Sequence, residues 1–400
     1  MRFLRGVLLM IALVGAGCTS STTAAGPSPT VTPTPTSLVT SPSPPPSPSA
    51  EGSPGPSSGD PGFIPALAAI QMLTPRLGWA VGSHHIFTTN DGSHWTTQYT
   101  STNEYAGVDF ISATTGWVVG LHELLGTTDG GRTWHELGEP GQPVRSVHFV
   151  SASHGWGIAG GADVEPFHGR LVPGSAGTLV VSMDGGHSWS NLGSPADPQT
   201  VCFSDSANGW LATAAGTIYR SHDEGQSWTQ SLQMPGREPG LPSRASIECA
   251  APSALWVEWA AGGAAAGSSP YIDYATVDGV TWKPALVETM TAGSFMPNVP
   301  PGPGSYPGSF SVVDPTDAVF VGDSAAAGTA ACIVLSNGGS TVRRTGRIDD
   351  VQETFDAAFT STSTGWVLVR QGSGDFVIEA TTDGGYHWSP QLSVTVQSPG

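Results

Sequence analysis

The chain has 400 residues, with 14 lysines and arginines against 32 aspartates and glutamates, which gives a formal net charge of -18. Loss of the first 17 residues would remove two arginines and no acid, and would take the charge to -20. A surface this acidic repels phosphate backbones and anionic headgroups, which argues against nucleic acid as a partner.

The first 17 residues have the pattern of a secretory signal. Arg2 and Arg5 precede an apolar stretch, Val7 to Ala16, that is too short for an ordinary membrane span. The segment ends at Gly15-Ala16-Gly17-Cys18, which resembles a bacterial lipobox. We therefore assign residues 1–17 to a lipoprotein signal peptide and expect a lipid on Cys18, which would anchor the protein to the cell membrane from outside the cytoplasm. Ordinary signal-peptide cleavage after a small residue is the alternative.

Residues 18–62 comprise Cys18 and a tether made almost entirely of Ser, Thr, Pro, Gly and Ala. Twelve prolines fall between residues 19 and 62, and such a segment cannot bury enough apolar surface to fold. We predict that it is disordered. In the polyproline II conformation, at about 3.1 Å per residue, it would reach at most roughly 140 Å. It would hold the rest of the chain at the cell surface or in the periplasm, and its Ser/Thr-Pro density also suits O-glycosylation.

A short motif then recurs at intervals of about 40 to 60 residues, which indicates stacked copies of one supersecondary unit. Its fullest form reads Ser/Thr-x-Asp-Gly-Gly-x-Ser/Thr-Trp. The Asp and Trp of each copy are Asp91 and Trp95, Asp129 and Trp134, Asp184 and Trp189, Asp223 and Trp228, Asp278 and Trp282, and Asp383 and Trp388. A degenerate copy lies at Asn337-Gly338-Gly339, with Val342 at the tryptophan position. Seven copies predict seven units.

A second repeat runs in phase with the first. An apolar strand residue leads, seven residues on, to a Gly-Trp or its equivalent: Met72 to Trp79, Phe110 to Trp117, Phe149 to Trp156, Phe203 to Trp210, Cys249 to Trp256, Val313 to Phe320, and Phe359 to Trp366. Each unit therefore contains four short strands. Strand A holds the apolar residue, strand B follows Gly-Trp, strand C enters the Asp turn, and strand D leaves it. No helical period appears between them.

The residues of the first motif serve a structural purpose. Its aspartate can accept backbone N–H bonds across its own turn, and its glycines can take the positive φ that a tight hairpin needs. Burying one tryptophan removes roughly 150 to 250 Å² from water, on the order of 4 to 6 kcal/mol before entropy is subtracted. The motif thus specifies a fold and no reaction.

These motifs resemble those of the Asp-box (BNR) repeat propellers, most closely the photosystem II assembly and stability factor-like propellers. The resemblance covers Ile64 to Gly400 and implies an all-β fold, a seven-bladed β-propeller of four-stranded antiparallel blades over residues 63–400. Similar boxes occur in sialidases, endoglucanases, sorting-receptor ectodomains and non-enzymatic assembly factors, so the resemblance is specific for fold and not for function. By resemblance, the partners would be membrane or envelope proteins.

Four long insertions, at residues 157–178, 233–244, 260–273 and 289–309, fall in the B–C and D–A connections. Strand parity places these connections on the face opposite the Asp boxes. Function is often carried by loops on a rigid scaffold, so we predict that this face binds a partner. Its candidate contact residues are Phe167, His168, Arg170, Arg237, Arg244, Tyr271, Phe295 and Tyr306. Neutral drift of Gly/Pro/Ala-rich insertions is the alternative.

The central channel is a second candidate site. The residue before the strand A anchor is polar in the first five units: Gln71, Asp109, His148, Cys202 and Glu248, followed by Val312 and Ala358. Asp109 and Glu248 could be imagined as the acid and base of a glycosidase, which need about 5 to 10 Å between them. They lie far apart around a ring, so hydrated channel lining is the favoured interpretation.

The cysteines leave one pairing open. Besides Cys18 there are Cys202, Cys249 and Cys332, and an odd number leaves at least one unpaired in a monomer. Cys202 and Cys249 lie on strand A of neighbouring units, which suits a disulfide. Their places in the repeat differ by one residue, however, which would turn their side chains to opposite faces and favours simple core packing.

Enzyme motifs are lacking in the sequence. The few arginines form no recognisable sialidase triad, and no nucleophile elbow, zinc-ligand spacing or phosphate loop is present. His84-His85 is only a pair and suits a polar turn. We predict a monomeric, non-enzymatic protein-binding or assembly module for membrane or envelope proteins, without cofactor or metal, with a glycan as a further candidate partner. The alternative is a carbohydrate-active hydrolase, sialidase-like or another glycosidase. Partner identity, a photosystem role, calcium binding and ring closure stay open.

Overall fold

The computed structural model describes residues 64–138, 142–160, 162–164, 171–173, 177–234, 243–261, 270–288, 298–324 and 328–395. Within these ranges the chain forms seven four-stranded antiparallel sheets and one two-stranded hairpin. The predicted seven-bladed propeller is therefore confirmed. The same ranges contain no helix long and apolar enough to cross a membrane. The predicted signal peptide and tether lie outside them.

Each blade uses its four strands in chain order, A to D. Blade one contains β1 (Ala69–Met72), β2 (Gly78–Gly82), β3 (His85–Thr89) and β4 (Trp95–Thr100). Blade two contains β5 (Tyr105–Phe110), β6 (Gly116–Gly120), β7 (Leu124–Thr127) and β8 (His135–Glu136). Blade three contains β9 (Val144–Phe149), β10 (Gly155–Ala159), β13 (Thr178–Ser182) and β14 (Ser190–Asn191), with the hairpin β11 (Ala162–Val164) and β12 (Leu171–Pro173) between its B and C strands.

Of the last four blades, blades five to seven contain strands longer than any in blades one to four. Blade four contains β15 (Pro198–Phe203), β16 (Gly209–Thr213), β17 (Thr217–Ser221) and β18 (Thr229–Gln233). Blade five contains β19 (Ser243–Ala251), β20 (Ala254–Ala261), β21 (Tyr271–Thr276) and β22 (Lys283–Val287). Blade six contains β23 (Ser309–Val312), β24 (Ala318–Ser324), β25 (Thr329–Ser336) and β26 (Thr341–Asp349), and blade seven contains β27 (Val351–Phe359), β28 (Gly365–Gln371), β29 (Phe376–Thr381) and β30 (Ser389–Val394).

The A strands form the inner ring, because each one contacts the A strands of both neighbouring blades, including β27 with β1. The Asp boxes connect strands C and D, on the same face as the A–B turns. Two hydrogen bonds show this directly: Gly130 N–H donates to Thr114 O at 2.8 Å, and Gly185 N–H donates to Ser153 O at 2.9 Å. We call this side the box face, and the opposite side, which carries the B–C and D–A connections, the loop face.

The core is built between blades from the two sequence repeats. The Gly-Trp tryptophan of one blade stacks on the strand A phenylalanine of the next, as in Trp117 on Phe149, with ring centroids 3.6 Å apart. Trp79 on Phe110 and Trp156 on Phe203 are equivalent. The Asp-box tryptophan of the second blade then meets the same phenylalanine edge-on. Each phenylalanine therefore joins two blades.

The glycine of each Gly-Trp is required by this packing. A Cβ added to Gly116 would lie 2.3 Å from Cγ of Phe110, which no real side chain could tolerate. The same close approach occurs at Gly155, Gly209 and Gly365. The glycine is therefore needed for space, because the phenylalanine ring lies directly over it.

The ring closes without strand exchange. Strand β30 pairs with β29 inside blade seven, and blade one is formed entirely by β1 to β4. The junction is held by side chains: Gln391 Oε1 accepts hydrogen bonds from Trp95 Nε1 and Trp366 Nε1, each at 3.0 Å. A shared apolar cluster that includes Ile70 and Phe355 fills the same junction. Closure, which the sequence left open, thus relies on packing and a few polar contacts.

Candidate functional site

The turn of each Asp box donates hydrogen bonds to the carboxylate of its own aspartate. In blade two, Asp129 Oδ1 accepts the Thr133 N–H at 2.9 Å, and Oδ2 accepts the Thr133 hydroxyl at 2.6 Å. The Thr127 hydroxyl donates to Asp129 Oδ1 at 2.9 Å and accepts the Gly131 N–H at 2.9 Å. Gly130 and Gly131 have φ of 77° and 84°, as predicted for this turn. The boxes around Asp184 and Asp223 repeat the pattern.

These bonds hold the box carboxylates in the ionised form. The hydroxyl and N–H of Thr133 lower the pKa of Asp129 to about 2. The N–H and imidazole of His387 lower the pKa of Asp383 to about 2. The other four box aspartates also have a pKa below the usual range, because their own turns donate hydrogen bonds to them. At neutral pH the boxes therefore carry no proton for acid catalysis, and their role is structural.

The predicted polar column of the channel is a set of contacts between neighbouring A strands. At each junction a side chain of one blade reaches the A strand of the next, and we call these the inner-ring contacts. They join Gln71 to Phe110, Asp109 to Phe149, His148 to Phe203, Cys202 to Cys249, Glu248 to Val312, Ser311 to Phe359, and Asp356 to Ile70. In blades six and seven the contact is made by Ser311 and Asp356, where the sequence pattern indicated the apolar Val312 and Ala358.

The inner-ring contacts also decide the roles of Asp109 and Glu248. Asp109 Oδ2 accepts the Phe149 N–H at 2.8 Å, and Glu248 Oε2 accepts the Val312 N–H at 2.8 Å. Burial raises the pKa of Asp109, while the nearby His148 and the Phe149 N–H oppose the rise. Each carboxyl is thus engaged with the backbone of a different neighbouring blade. This arrangement matches ring assembly and gives no acid and base pair facing one substrate.

Cys202 and Cys249 form a disulfide, with their Cα atoms 6.0 Å apart. The sequence argument from the one-residue offset was therefore wrong. The reason lies in the other junctions, where the residue before the anchor of one A strand also contacts the anchor position of the next, as Asp109 contacts Phe149. The same offset brings Cys202 to Cys249. Cys332 is free and buried in blade six.

The structure describes three of the eight predicted binding residues: Arg244, Tyr271 and Tyr306. The other five, Phe167, His168, Arg170, Arg237 and Phe295, lie outside the described residues. Tyr306 is half-buried. Arg244 and Tyr271 were predicted in loops but belong to β19 and β21, because blade five continues its pairing to Ser243↔Ala261 and Ala260↔Tyr271. Tyr271 is buried and donates its hydroxyl to Gly304 O at 2.9 Å, so it supports the loop face from below.

A cavity of about 530 Å³ opens on the box face, beside the inner ring. It is lined by the A-strand ends and A–B turns of blades three to five: His148, Phe149, Val150, Ser151, His154, Phe203, Ser204, Asp205, Ser206, Cys249 and Ala250. Much of its polar surface is already used locally, since Asp205 Oδ1 accepts the Ala207 and Asn208 N–H groups at 2.8 Å. The sequence analysis did not single out these turns, because short Ser/Asp turns recur in every blade.

Metal binding has no obvious place in the described ranges. They contain no group of three or more His, Cys, Asp or Glu side chains that could hold a metal ion. His84 adopts a positive φ of 76° in the turn before β3, and its ring contacts Asn103 O at 3.2 Å. His84 therefore occupies the B–C turn that the sequence indicated, and His85 begins β3.

The repeats and the blade structure agree with the comparison with known families. The family model described as photosynthesis system II assembly factor YCF48 matches residues 88–236. The protein is an Asp-box propeller similar to the YCF48 family. No curated protein matches this propeller in sequence.

Solved structures share the fold of this Asp-box propeller at low identity. One is YCF48 bound to D1 peptide, with 16% identity, a TM-score of 0.51, and coverage of 81% of this chain and 95% of that chain. Another is the GH74 enzyme of Niastella koreensis, with 16% identity, a TM-score of 0.56, and coverage of 80% and 53%. A third is the oligogalacturonate lyase of Vibrio parahaemolyticus, with 10% identity, a TM-score of 0.52, and coverage of 80% and 91%. These likenesses concern the fold alone.

Proposed function

We propose that this protein is an extracytoplasmic binding or assembly module, anchored by a lipid on Cys18, that engages membrane or envelope proteins and catalyses no reaction. The observation that carries the proposal is the match of residues 88–236 to the YCF48 assembly factor family. A YCF48 propeller has been solved with a D1 peptide. We infer the same general activity here, which is recognition of a protein segment by a propeller surface.

The polar chemistry of the described residues supports binding over catalysis. The box aspartates are ionised and held by their own turns, and the carboxyls of Asp109 and Glu248 accept backbone N–H groups. Groups used in this way cannot readily exchange protons with a substrate. The same fold is nevertheless found in a GH74 enzyme and a lyase, so the test below includes glycoside turnover.

We place the partner on the loop face. Its insertions carry the aromatic and arginine side chains that dominate protein interfaces, and the long tether would give the propeller freedom to present this face to a membrane protein. The box-face cavity beside the inner ring is the competing location. The two faces can be separated by paired substitutions.

The test uses the full-length protein, cross-linked and co-purified from its native membranes. The variant Phe167→Ala/Arg170→Ala changes the loop face, and Met183→Ala/His187→Ala is the matched control on exposed positions of the box face. We expect a specific protein partner that is lost from the first variant and kept by the second. Loss from the control alone would move the site to the box face. Turnover of a glycoside without any protein partner would refute the binding function.

Anchoring is tested separately by Cys18→Ala. The wild type should fractionate with membranes and take up labelled lipid, and the variant should be released without label. A variant that stays in the membrane fraction would refute the lipid anchor while leaving the binding function intact.

A further inference from the structure

Blade five contains a fully buried carboxyl group that has no hydrogen-bond partner. Asp273 lies in β21 and is 0% exposed. Neither its Oδ1 nor its Oδ2 accepts a hydrogen bond. An ionised carboxylate in such a place would be strongly unfavourable. The burial of Asp273 therefore favours the protonated acid or requires a compensating positive charge.

A second carboxyl group stands directly opposite. Glu258 of β20 is the cross-strand partner of Asp273 and is also buried. Residues opposite each other in an antiparallel pair have Cβ atoms about 4.5–5.5 Å apart, and like charges there repel. The positive group that faces the pair is Arg244 of β19, whose charge interacts with Glu258. The guanidinium thus offsets the charge of Glu258, while Asp273 faces the like charge of Glu258.

The other neighbouring groups of blade five add no positive charge, whereas Arg344 of β26 in blade six donates hydrogen bonds to Pro301 O and Gly302 O, both in residues 298–308. Tyr271, on the same strand, is buried beside Asp273 and Glu258, and the buried Glu288 follows β22. From blade six, β23 has no titratable residue, and β24 has Asp323, whose side chain lies outside the described part of the chain. In the covering segment, residues 298–308, Tyr306 is the one titratable residue.

The covering segment is hydrogen-bonded to β21, which holds Asp273, and to the adjacent strand β22. Tyr271 donates its hydroxyl to Gly304 O, and a Cβ on Gly302 would collide with that hydroxyl. Val287 N–H donates to Pro300 O at 3.0 Å, and Gly302 N–H donates to Val287 O at 2.9 Å. A change in the charge of the pair would therefore alter the packing of residues 298–308, because these hydrogen bonds link them to blade five.

We propose that the Glu258–Asp273 pair retains a proton in the folded protein, so that rising pH loosens blade five and the covering segment. Burial and the charge of Glu258 raise the pKa of Asp273 well above its usual value. The unfolded chain loses this proton near pH 4, whereas the folded protein keeps it. The contribution of this group to the free energy of unfolding is therefore greatest below about pH 4. It decreases as the pH rises towards the pKa of the group in the folded protein. The inference does not depend on the proposed partner.

The test compares Asp273→Asn, a neutral replacement of the same shape, with the exposed control Asp349→Asn. Denaturant unfolding is measured from about pH 5 to about pH 8. One proton released on unfolding raises the unfolding equilibrium constant by about tenfold per pH unit. We expect this rise in the wild type and in Asp349→Asn, in addition to the pH dependence that other titrating groups contribute. In Asp273→Asn this rise should be lost. An unchanged pH slope in Asp273→Asn would overturn the proposal.

A second measurement does not depend on the variant folding. In wild-type protein with ¹³C-labelled aspartate carboxyls, the resonance assigned to Asp273 should titrate far above the ordinary range, and assignment separates it from Asp109, whose pKa is also raised. Hydrogen exchange of β21 and residues 298–308, corrected for the intrinsic rate, should accelerate with pH in this region more than in blade two. If the Asp273 carboxyl titrates below about pH 5, near or under its ordinary value, the proposed proton retention is refuted.

Discussion

Removing the disulfide between blades four and five should destabilise the propeller by about 4 kcal/mol. The perturbation is Cys202→Ala/Cys249→Ala. The two cysteines are 47 residues apart in sequence, and the chain-entropy relation for a cross-link of that span gives about 4 kcal/mol at 25 °C. The contact replaced is the one covalent member of the described inner-ring contacts, so the neighbouring hydrogen bonds cannot substitute for it.

The assay is denaturant unfolding of the oxidised wild type, the reduced wild type and the double variant. Reduction should lower the free energy of unfolding of the wild type by nearly the full amount, and it should not affect the double variant. Cys332→Ala is the control, because Cys332 is free and buried in another blade. Its baseline stability will change through the lost side chain, but its response to reductant should equal that of the wild type.

The refuting result is a small response. If reduction changes the free energy of unfolding by less than about 1 kcal/mol, the cross-link does not restrict the unfolded chain as the entropy relation requires. An equal response of the double variant would show that the reductant acts elsewhere.

Three further predictions concern the repeats and the ring. Gly116→Ala should destabilise the protein by about 1–3 kcal/mol because its Cβ collides with Phe110, whereas Gly193→Ala, which has open space around it, should change the free energy of unfolding little. Asp356→Ala should cost about 1–3 kcal/mol in denaturant unfolding and increase hydrogen exchange at the first and last blades, since this carboxyl accepts the N–H that joins them. Equal protection in wild type and variant would contradict that role. Because the pKa of Asp129 is lowered to about 2, its contribution should be present above about pH 4 and lost towards pH 2; Asp129→Asn should show a flatter acid-unfolding curve.

The number of blades and the order of their strands could be predicted because short local sequence motifs specify them. A turn that needs two positive-φ glycines and an aspartate has a recognisable sequence, and it marks the C–D connection of each blade. The degenerate copy obeys the same rule, since Asn337, Gly338 and Gly339 all have positive φ between β25 and β26. Box and Gly-Trp spacing therefore predicted blade number, strand order and the position of both tryptophans.

The positions of Arg244 and Tyr271 were predicted less well, because loop and strand cannot be separated in sequence where an insertion joins a long strand. Tyr271 looked like an exposed aromatic residue in a Gly/Ala-rich insertion, but blade five continues its ladder and buries it. The box-face cavity was missed for a related reason. Its walls come from the turns of three blades, and no single turn is unusual in sequence.

Contacts between blades could not be predicted from the local sequence motifs. Asp109, Glu248 and Cys202 were recognised as a column, yet each one reaches a neighbouring blade whose relative height is set by packing of the whole ring. The buried Asp273 likewise became apparent only when cross-strand pairing placed Glu258 beside it. Short-range backbone chemistry fixes turns and strands because the interacting residues are neighbours in sequence. The pairing of side chains, their protonation and the closure of the ring depend on distances between segments far apart in the chain, and those distances are settled only by folding.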